Sequence, residues 1–381
     1  MELTPDECRQ LLAAIAKNED SAVSSLMARG LAPDHSFNLA DRGGATTMLE
    51  YASECGSARV AKLLVAAGAK TDKGQFKALI LAIMAGYEDI ARILLESGAD
   101  PNVRMSADSD GETGLTALMC AAEDSRRINI FEELLKHGAD PNKVSNKGSS
   151  ALSLAVEHDN RPAWERLLKL GCRANGKALL AAVLEGDPEL VQALIHAGAD
   201  VNFVGGTNDC LRYQTPLEGA IDRRTTSMLQ GRVLSEGDPN KPARYLKIIR
   251  CLIEAGADPN RVTYLQAPLY KAAKAGDLEV TKLLLAARAV PDKAMEVGSA
   301  KKGDEIESAL HAVAREGHIE IAQELLAAGA DSNKRDRHGH TPLDIAESAG
   351  HASLAKTLVD AGGTKGSPVK APKSSDWELN F

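Results

Sequence analysis

The sequence is poor in aromatic residues and lacks both a cysteine pairing pattern and a long apolar run. Aromatic side chains make up only 3% of the 381 residues, which argues against the core of a large globular enzyme. The six cysteines are scattered without a C-x-x-C pair, so no disulfide framework is expected. No apolar stretch approaches the roughly 18 residues of a membrane-spanning helix, and no signal-peptide pattern opens the chain. These absences predict a soluble, cytoplasmic protein with reduced thiols.

Motifs for common catalytic and nucleotide-binding chemistry are also missing. The sequence has no Gly-rich phosphate loop, no H-E-x-x-H and no G-x-S-x-G. His338 and His340 form the closest histidine pair, but a metal would need further ligands from elsewhere. The net charge of −8, with both signs interspersed, disfavours nucleic-acid binding. We therefore expect a protein that is not an enzyme and that has no metal site and no cofactor.

The chain does contain one segment that recurs along its length. Leu-Leu-x-x-Gly-Ala-Asp stands at 94–100, 134–140 and 325–331. Looser versions follow the same pattern at 63–70, 194–200, 252–258 and 358–364. A self-similar period of this length indicates stacked units in which each unit contacts only its neighbours.

The unit that begins at Gly339 is the most regular and reads GHTPLDIAESAGH, followed by a second apolar segment up to Gly363. It resembles the ankyrin repeat. The resemblance covers about 5–363 in about ten units, and it implies an all-α solenoid of helix-turn-helix units joined by finger loops. Single units depart from the pattern: Thr-Pro survives only at Thr215 and Thr341, and Arg288 replaces the glycine of the eighth marker.

The residue pattern within one unit supports the same fold. Apolar residues such as Val280 and Leu284 recur at helical spacing, which predicts an amphipathic second helix. Glycines such as Gly317 between the two helices predict a left-handed stop followed by a new start. The resemblance implies that His318 and His351, which follow such glycines, cap backbone groups, and that the first-helix residue His311 is structural.

The repeat pattern divides the chain into three parts. Residues 1–43 are expected to form an N-terminal capping repeat with a long finger, 44–363 the repeat array, and 364–381 a flexible linker with a C-terminal docking peptide. The seventh repeat carries an insertion at about 223–242, whose glycines and prolines predict a loop in its later part. Such an insertion is either a functional loop or a tolerated excursion.

Two groups of charged residues are candidate binding sites on first helices and fingers, the elements that line the concave side of ankyrin-like stacks. The basic group consists of Lys271, Lys274, Arg315, Lys334, Arg335, Arg337 and His338. The acidic group, on the third connection, consists of Asp108, Asp110 and Glu112. One hypothesis is that the later half of the groove accepts an acidic segment. The alternative is that these residues are solvated charged faces without a partner.

The C-terminal segment is a third candidate. Trp377, Leu379 and Phe381 alternate with polar residues, so an extended segment would present all three on one face, as a peptide does when it adds a strand to a partner's sheet. The alternatives are that the tail folds back on the last repeat as a cap or is frayed.

The resemblance implies a non-enzymatic scaffold or adaptor that binds a protein or peptide through its groove and fingers, with the tail as a second docking element. An alternative is an inhibitor or immunity-type protein that inserts 223–242 or a long finger into a partner enzyme. A host-directed effector is a further alternative. Nucleic acid, membranes and small-molecule substrates are not expected partners.

Overall fold

The computed structural model describes residues 3–38, 45–72, 77–105, 114–207, 210–233, 240–263, 266–293, 307–336 and 338–366. These residues form twenty α-helices and four short strands, which confirms the predicted all-α fold class. Within them, no helix has the length and apolar character needed to cross a membrane. The chain divides into two compact units, Met1–Ala178 and Leu179–Phe381, and α11 (Gly176–Glu185) includes the boundary.

In the first unit, consecutive helices pair and each pair stacks on the next. Odd-numbered helices pack against odd-numbered neighbours and even-numbered against even-numbered, so the unit has two helical layers. The helices are α1 (Pro5–Ala16), α2 (Asp20–Ala28), α3 (Met48–Cys55), α4 (Ala58–Ala66), α5 (Ala78–Ala85), α6 (Glu88–Glu96), α7 (Ala117–Ala122), α8 (Ile128–Lys136), α9 (Ala151–Glu157) and α10 (Arg161–Lys169). A short 3₁₀ turn, Ser125–Arg127, precedes α8.

The second unit repeats this two-layer arrangement. Its helices after α11 are α12 (Pro188–His196), α13 (Pro216–Val233), α14 (Lys241–Glu254), α15 (Pro268–Lys274), α16 (Leu278–Ala286), α17 (Ala309–Glu316), α18 (Ile319–Ala327), α19 (Pro342–Ser348) and α20 (Ala352–Asp360). The described helices pair as predicted, while the count of about ten repeats and the boundaries at 43 and 363 remain predictions.

Local sequence explains where these helices start and which face they bury. Thr47 and Thr341 each cap the helix that follows, and the side chain three residues later returns the hydrogen bond. In α16 the buried residues Val280, Thr281 and Leu284 lie on one face. In contrast α7, rich in alanine, is buried on all sides, which lets neighbouring helices approach closely.

Backbone conformation at the turns follows the glycines. Gly86 and Gly317, between paired helices, have φ of +80°, which L-residues with a side chain disfavour. Arg288, which replaces the glycine at the end of α16, keeps the left-handed conformation with φ of +65°. The turn geometry is therefore retained there at a cost in backbone strain.

An asparagine in several fingers forms two hydrogen bonds to the backbone of the next repeat. Asn102 Nδ2 donates to the Gly138 carbonyl (3.1 Å), and its Oδ1 accepts from the Asp140 N–H (2.8 Å). Asn202, Asn260 and Asn333 repeat this pair of bonds in the second unit. Backbone groups of two successive fingers are thereby paired through one side chain.

A second set of bonds joins the helix turns. His351 Nε2 donates to the Arg315 carbonyl (3.0 Å), so His351 caps a backbone group as predicted. Equivalent donors on neighbouring repeats are Arg127 to Met84, Asn160 to Ala122 and Tyr245 to Leu184. These carbonyls lie at the ends of first helices, where no intrahelical donor remains.

The fingers contain the strands. β1 (Ser36–Asn38) pairs with β2 (Ala45–Thr47), and β3 (Gly205–Thr207) pairs with β4 (Cys210–Gln214), both antiparallel. Arg104 and Thr116 form an isolated bridge in another finger. The two fingers that contain these strands are therefore hairpins where the structure describes them.

The predicted insertion at 223–242 lengthens two helices more than it forms a loop. Gly231 lies inside α13, and Pro242 lies in the first turn of α14, where its missing N–H costs nothing. The expectation of a loop throughout the later part was wrong at both ends, because a single glycine weakens a helix by only about 1 kcal/mol. Residues 234–239 lie outside the described residues.

Candidate functional site

A cleft of about 340 Å³ lies between α17, α19 and the finger that connects their repeats. Its lining combines a basic residue, two imidazoles, two carboxylates and a small apolar patch. The lining residues are Glu307, Arg315, Asp336, His338, His340, Ile345, Ser348 and Ala349. The site belongs entirely to the second unit.

Arg315 is held at one edge of the cleft by a buried carboxylate. Its Nη1 lies 2.6 Å from Oε1 of Glu307, and the hydroxyl of Tyr270 donates to the other oxygen of Glu307 at 2.9 Å. The Arg315 side chain is 49% exposed, whereas Glu307 is buried. One edge of the guanidinium is therefore fixed, and its planar fork of donors is presented to the cleft.

Asp336 organises the finger turn that carries both imidazoles. Its Oδ1 accepts from the N–H groups of His338 (2.8 Å) and His340 (2.9 Å), and His340 Nδ1 lies 3.4 Å from Oδ2. Partial burial opposes ionisation of Asp336, but the hydrogen bonds from His340 and His338 outweigh it and lower the pKa of Asp336. The two rings lie 5.9 Å apart between centroids.

His311, on α17, binds the backbone of this turn. Its Nδ1 accepts from the Ser308 N–H (3.2 Å), and its Nε2 donates to the His340 carbonyl (3.3 Å), which defines a neutral ring. Burial is the main reason that the pKa of His311 is lowered. His311 therefore positions the cleft without lining it, in agreement with the predicted structural role.

The arrangement is suited to binding a short segment that has both an acidic and an apolar side chain. Ala349 and the small exposed part of the mostly buried Ile345 provide an apolar patch, and Arg315 and the exposed His338 provide donors beside it. Glu307 and Asp336 already accept hydrogen bonds, so they act mainly as supports for the donors.

The other described cations of the basic group do not line the cleft, and they differ in how far they are engaged by other residues. Lys271 is largely buried, and its Nζ lies 2.9 Å from Oδ1 of Asp222. Lys274 is exposed, with its Nζ 5.9 Å from the centroid of the Tyr270 ring. Lys334 Nζ donates to the carbonyl of Asp292, and Arg335 is exposed. Lys274 and Arg335 thus remain accessible to a partner.

Several predicted residues lie outside the described residues. These are Arg337 of the basic group, the acidic group Asp108, Asp110 and Glu112, and the tail residues Trp377, Leu379 and Phe381. Their roles stay predictions.

Sequence reasoning placed Arg315 and His338 in the groove but did not select Glu307, His340 or Ser348. Glu307 and His340 both immediately precede a helix N-cap, Ser308 and Thr341. An alignment of the repeats with one another would have placed them at equivalent positions on neighbouring fingers. The cleft itself depends on how α17 packs against α19, which no single repeat encodes.

The described part of the chain contains no cluster of three His, Cys, Asp or Glu residues arranged to hold a metal ion. The stacked, finger-linked helical pairs define a repeat protein whose surface residues vary from pair to pair. A family model described as ankyrin repeats matches residues 11–105, 118–205 and 294–367. The chain belongs to the ankyrin-repeat family, and this membership supports a role in protein–protein interaction.

Curated relatives share this repeat region but differ in length. E3 ubiquitin-protein ligase KEG of Arabidopsis thaliana is 24% identical over 349 residues, which cover 90% of this chain but only 20% of that protein. Human cyclin-dependent kinase inhibitor 2A is 36% identical over 121 residues, or 31% of this chain and 72% of the inhibitor. Human cyclin-dependent kinase 4 inhibitor B is 35% identical over 129 residues, or 34% of this chain and 88% of the inhibitor.

Proposed function

We propose that this protein is a non-enzymatic, cytoplasmic adaptor that binds an acidic segment of a partner protein at the cleft between α17 and α19. The observation that carries the proposal is the placement of Arg315 and His338 beside the apolar patch of Ile345 and Ala349. A charge-assisted hydrogen bond from a half-exposed arginine to a carboxylate is stronger than a neutral one and selects a planar acceptor. The apolar patch adds contact area beside it.

The accessible cations near the cleft favour the same kind of partner. Lys274 and Arg335 are exposed and can attract an acidic chain before it docks. Lys271 contributes less to that attraction, because Asp222 already pairs with it.

The test uses a fluorescein-labelled peptide of alternating Glu and Leu and a matched peptide of alternating Lys and Leu. The full chain is expected to bind the Glu peptide more tightly, as measured by fluorescence polarisation at increasing salt. The Arg335→Glu and Arg337→Glu double variant should weaken binding, whereas Lys356→Glu, an exposed position on α20, should change it little. Equal affinity for both peptides would contradict the proposal, and an unchanged affinity in the double variant would contradict the contribution of the finger cations to it.

The pair α13–α14 supports a second candidate function, that of an inhibitor which projects a helical hairpin into a partner enzyme. Arg224, near the middle of α13, is buried and bonded to Asp277, Glu279 and the Pro242 carbonyl, so the base of the hairpin is fixed. Two relatives are named kinase inhibitors, and inhibition of an enzyme is the class of function proposed for this hairpin.

Replacing residues 229–239 by a short Gly-Ser linker separates the two candidates. Loss of partner binding with retained binding of the Glu peptide supports the inhibitor, because the cleft is untouched. Retention of both supports the adaptor.

We further propose that Trp377, Leu379 and Phe381 form a second docking element for a protein partner. Two modest sites on one chain raise avidity when both can engage. Trp377→Ala is expected to weaken capture of such a partner, with Asn380→Ala as the matched control.

A further inference from the structure

Residues 363–366 leave α20 along the path that the start of another repeat would take. Asn333 Nδ2 donates to the Gly362 carbonyl (2.9 Å), and its Oδ1 accepts from the Thr364 N–H (2.7 Å). Asn260 makes the same two bonds with Arg288 and Val290 (3.0 and 2.8 Å). The chain beyond α20 is therefore held as a finger would be.

A residue in the first turn of α19 also binds the segment 363–366. Asp344 occupies the position that His311 has in α17, three residues after the N-cap. Its Oδ2 accepts from the Gly366 N–H at 2.8 Å, and Lys365 Nζ lies 2.7 Å from Oε2 of Glu347. Gly366, like His340 in the preceding finger, is thus fixed by the helix it passes.

This contact brings the exit of the tail to the rim of the cleft. A Cβ added to Gly366 would collide with the carbonyl oxygen of Gly339, so the two backbones are in contact. Gly339 stands between His338 and His340, which both line the cleft. Gly366, the last described residue, therefore lies beside the candidate binding site.

We infer that the segment 376–381 of this chain docks in cis in the cleft between α17 and α19, and that a partner's acidic segment must displace it. The inference rests on the proposed function, because it concerns the same cleft and gives that cleft a competitor. A partner that displaces the segment would at the same time release Trp377 for the second docking role.

The segment has the chemistry that the cleft selects. Asp376 and Glu378 alternate with Trp377, Leu379 and Phe381, so an extended backbone places carboxylates on one side and apolar side chains on the other. The carboxylates match Arg315 and His338, and the apolar side chains match the patch of Ile345 and Ala349.

The connecting length permits this docking. Nine residues, 367–375, separate the fixed Gly366 from the segment, and they can reach at most about 30 Å. Because Gly366 touches the loop that lines the cleft, this reach covers the site. A tether of this length gives an effective concentration on the order of millimolar, so even a weak contact is populated.

The test follows the fluorescence of Trp377 in the full chain. Trp164→Phe leaves Trp377 as the sole tryptophan, because the sequence has two. Acrylamide quenching of Trp377 should be several-fold weaker in the chain than in a free peptide of residues 364–381. Ser348→Phe, which fills the cleft, should restore the quenching of the free peptide, whereas Ser353→Phe on α20 should not. Both serines are exposed, so both substitutions leave the core intact.

Three results would overturn cis docking. They are equal quenching in chain and peptide, protection that survives Ser348→Phe, and protection that grows with protein concentration, which indicates a second copy.

The Glu peptide separates this inference from the proposed function. Tighter binding of the peptide to Trp377→Ala than to the parent chain supports competition in cis. Equal binding to both chains overturns cis docking and leaves the proposed function standing. Binding to neither chain overturns the proposed function, and the quenching result then decides cis docking alone.

Discussion

The pairs α13–α14 and α17–α18 join their following neighbours at the same place in the repeat, but the direction of hydrogen bonding is reversed. After α17, the donor is His351 of the next pair, and the acceptor is the backbone carbonyl of Arg315. After α13, the donor is Arg224 of the longer helix itself, and the acceptor is the carboxylate of Asp277 in the next pair.

Helix length explains the reversal. α17 ends at Glu316, so the Arg315 carbonyl lies in the last turn and has no intrahelical donor. α13 continues to Val233, so the corresponding carbonyls are within reach of intrahelical N–H groups. The joint then requires a side-chain donor from α13, and a charged acceptor on the neighbour replaces the histidine. The repeat joint is therefore kept while its chemistry changes with the end of the helix.

Removing Arg224 should lower the free energy of unfolding the most, because it breaks the bond between the lengthened pair α13–α14 and the next pair. The side chains of Arg224 and Asp277 are only 7% and 5% exposed, so Arg224→Ala leaves a buried carboxylate without its partner. We expect a loss of about 3–5 kcal/mol in the free energy of unfolding, measured by urea titration. Arg223→Ala, at the exposed neighbouring position, should cost less than about 0.5 kcal/mol. A small loss for Arg224→Ala would mean that α14 alone holds the pair in place.

This joint shows how far the sequence could predict the fold. Helices, their glycine stops and the cap formed by His351 depend on residues close together within one repeat or on the family pattern, and they were predicted. Arg224 was not, because its partner Asp277 lies 53 residues away and an aspartate there replaces the histidine of the repeat pattern. Likewise, Arg315 and His338 were predicted as single residues, but the cleft they share depends on the packing of α17 against α19.

Two matched substitutions measure the hydrogen bond that joins a helix pair to the pair before it, once in the lengthened pair α13–α14 and once in the regular pair α19–α20. Tyr245→Phe removes the donor to the Leu184 carbonyl, and His351→Phe removes the donor to the Arg315 carbonyl, while each keeps a ring in place. We expect each to lower the free energy of unfolding by about 1 kcal/mol, the net value of a typical hydrogen bond. A much larger loss for Tyr245→Phe would show that the lengthened pair relies on this bond more than a regular pair does.

Arg288 tests whether the end of α16 retains strain where other repeats have glycine. Its left-handed φ of +65° disfavours a side chain, so Arg288→Gly should raise the free energy of unfolding by about 1 kcal/mol. The reverse change at the equivalent position, Gly329→Ala, should lower it by a similar amount. A Cβ there meets no heavy atom within 4 Å, so only the backbone responds. Destabilisation by Arg288→Gly would indicate that the arginine side chain makes a compensating contact.

The finger turn beside α17 should also respond to pH through His311, which bonds to the His340 carbonyl. Burial lowers its pKa from the ordinary value of 6.5, against the opposing effects of the His340 carbonyl, Asp336 and Glu307. At a pH between the two values the unfolded chain binds the proton and the folded chain does not. The stability contribution is therefore complete above pH 6.5 and is lost as the pH falls toward the folded pKa. His311→Asn should flatten the dependence of the urea midpoint on pH between about 7 and 5. An unaltered slope in His311→Asn would mean that the pKa of His311 is the same in the folded and the unfolded chain, and the buried neutral ring that supports the cleft would then be the wrong assignment.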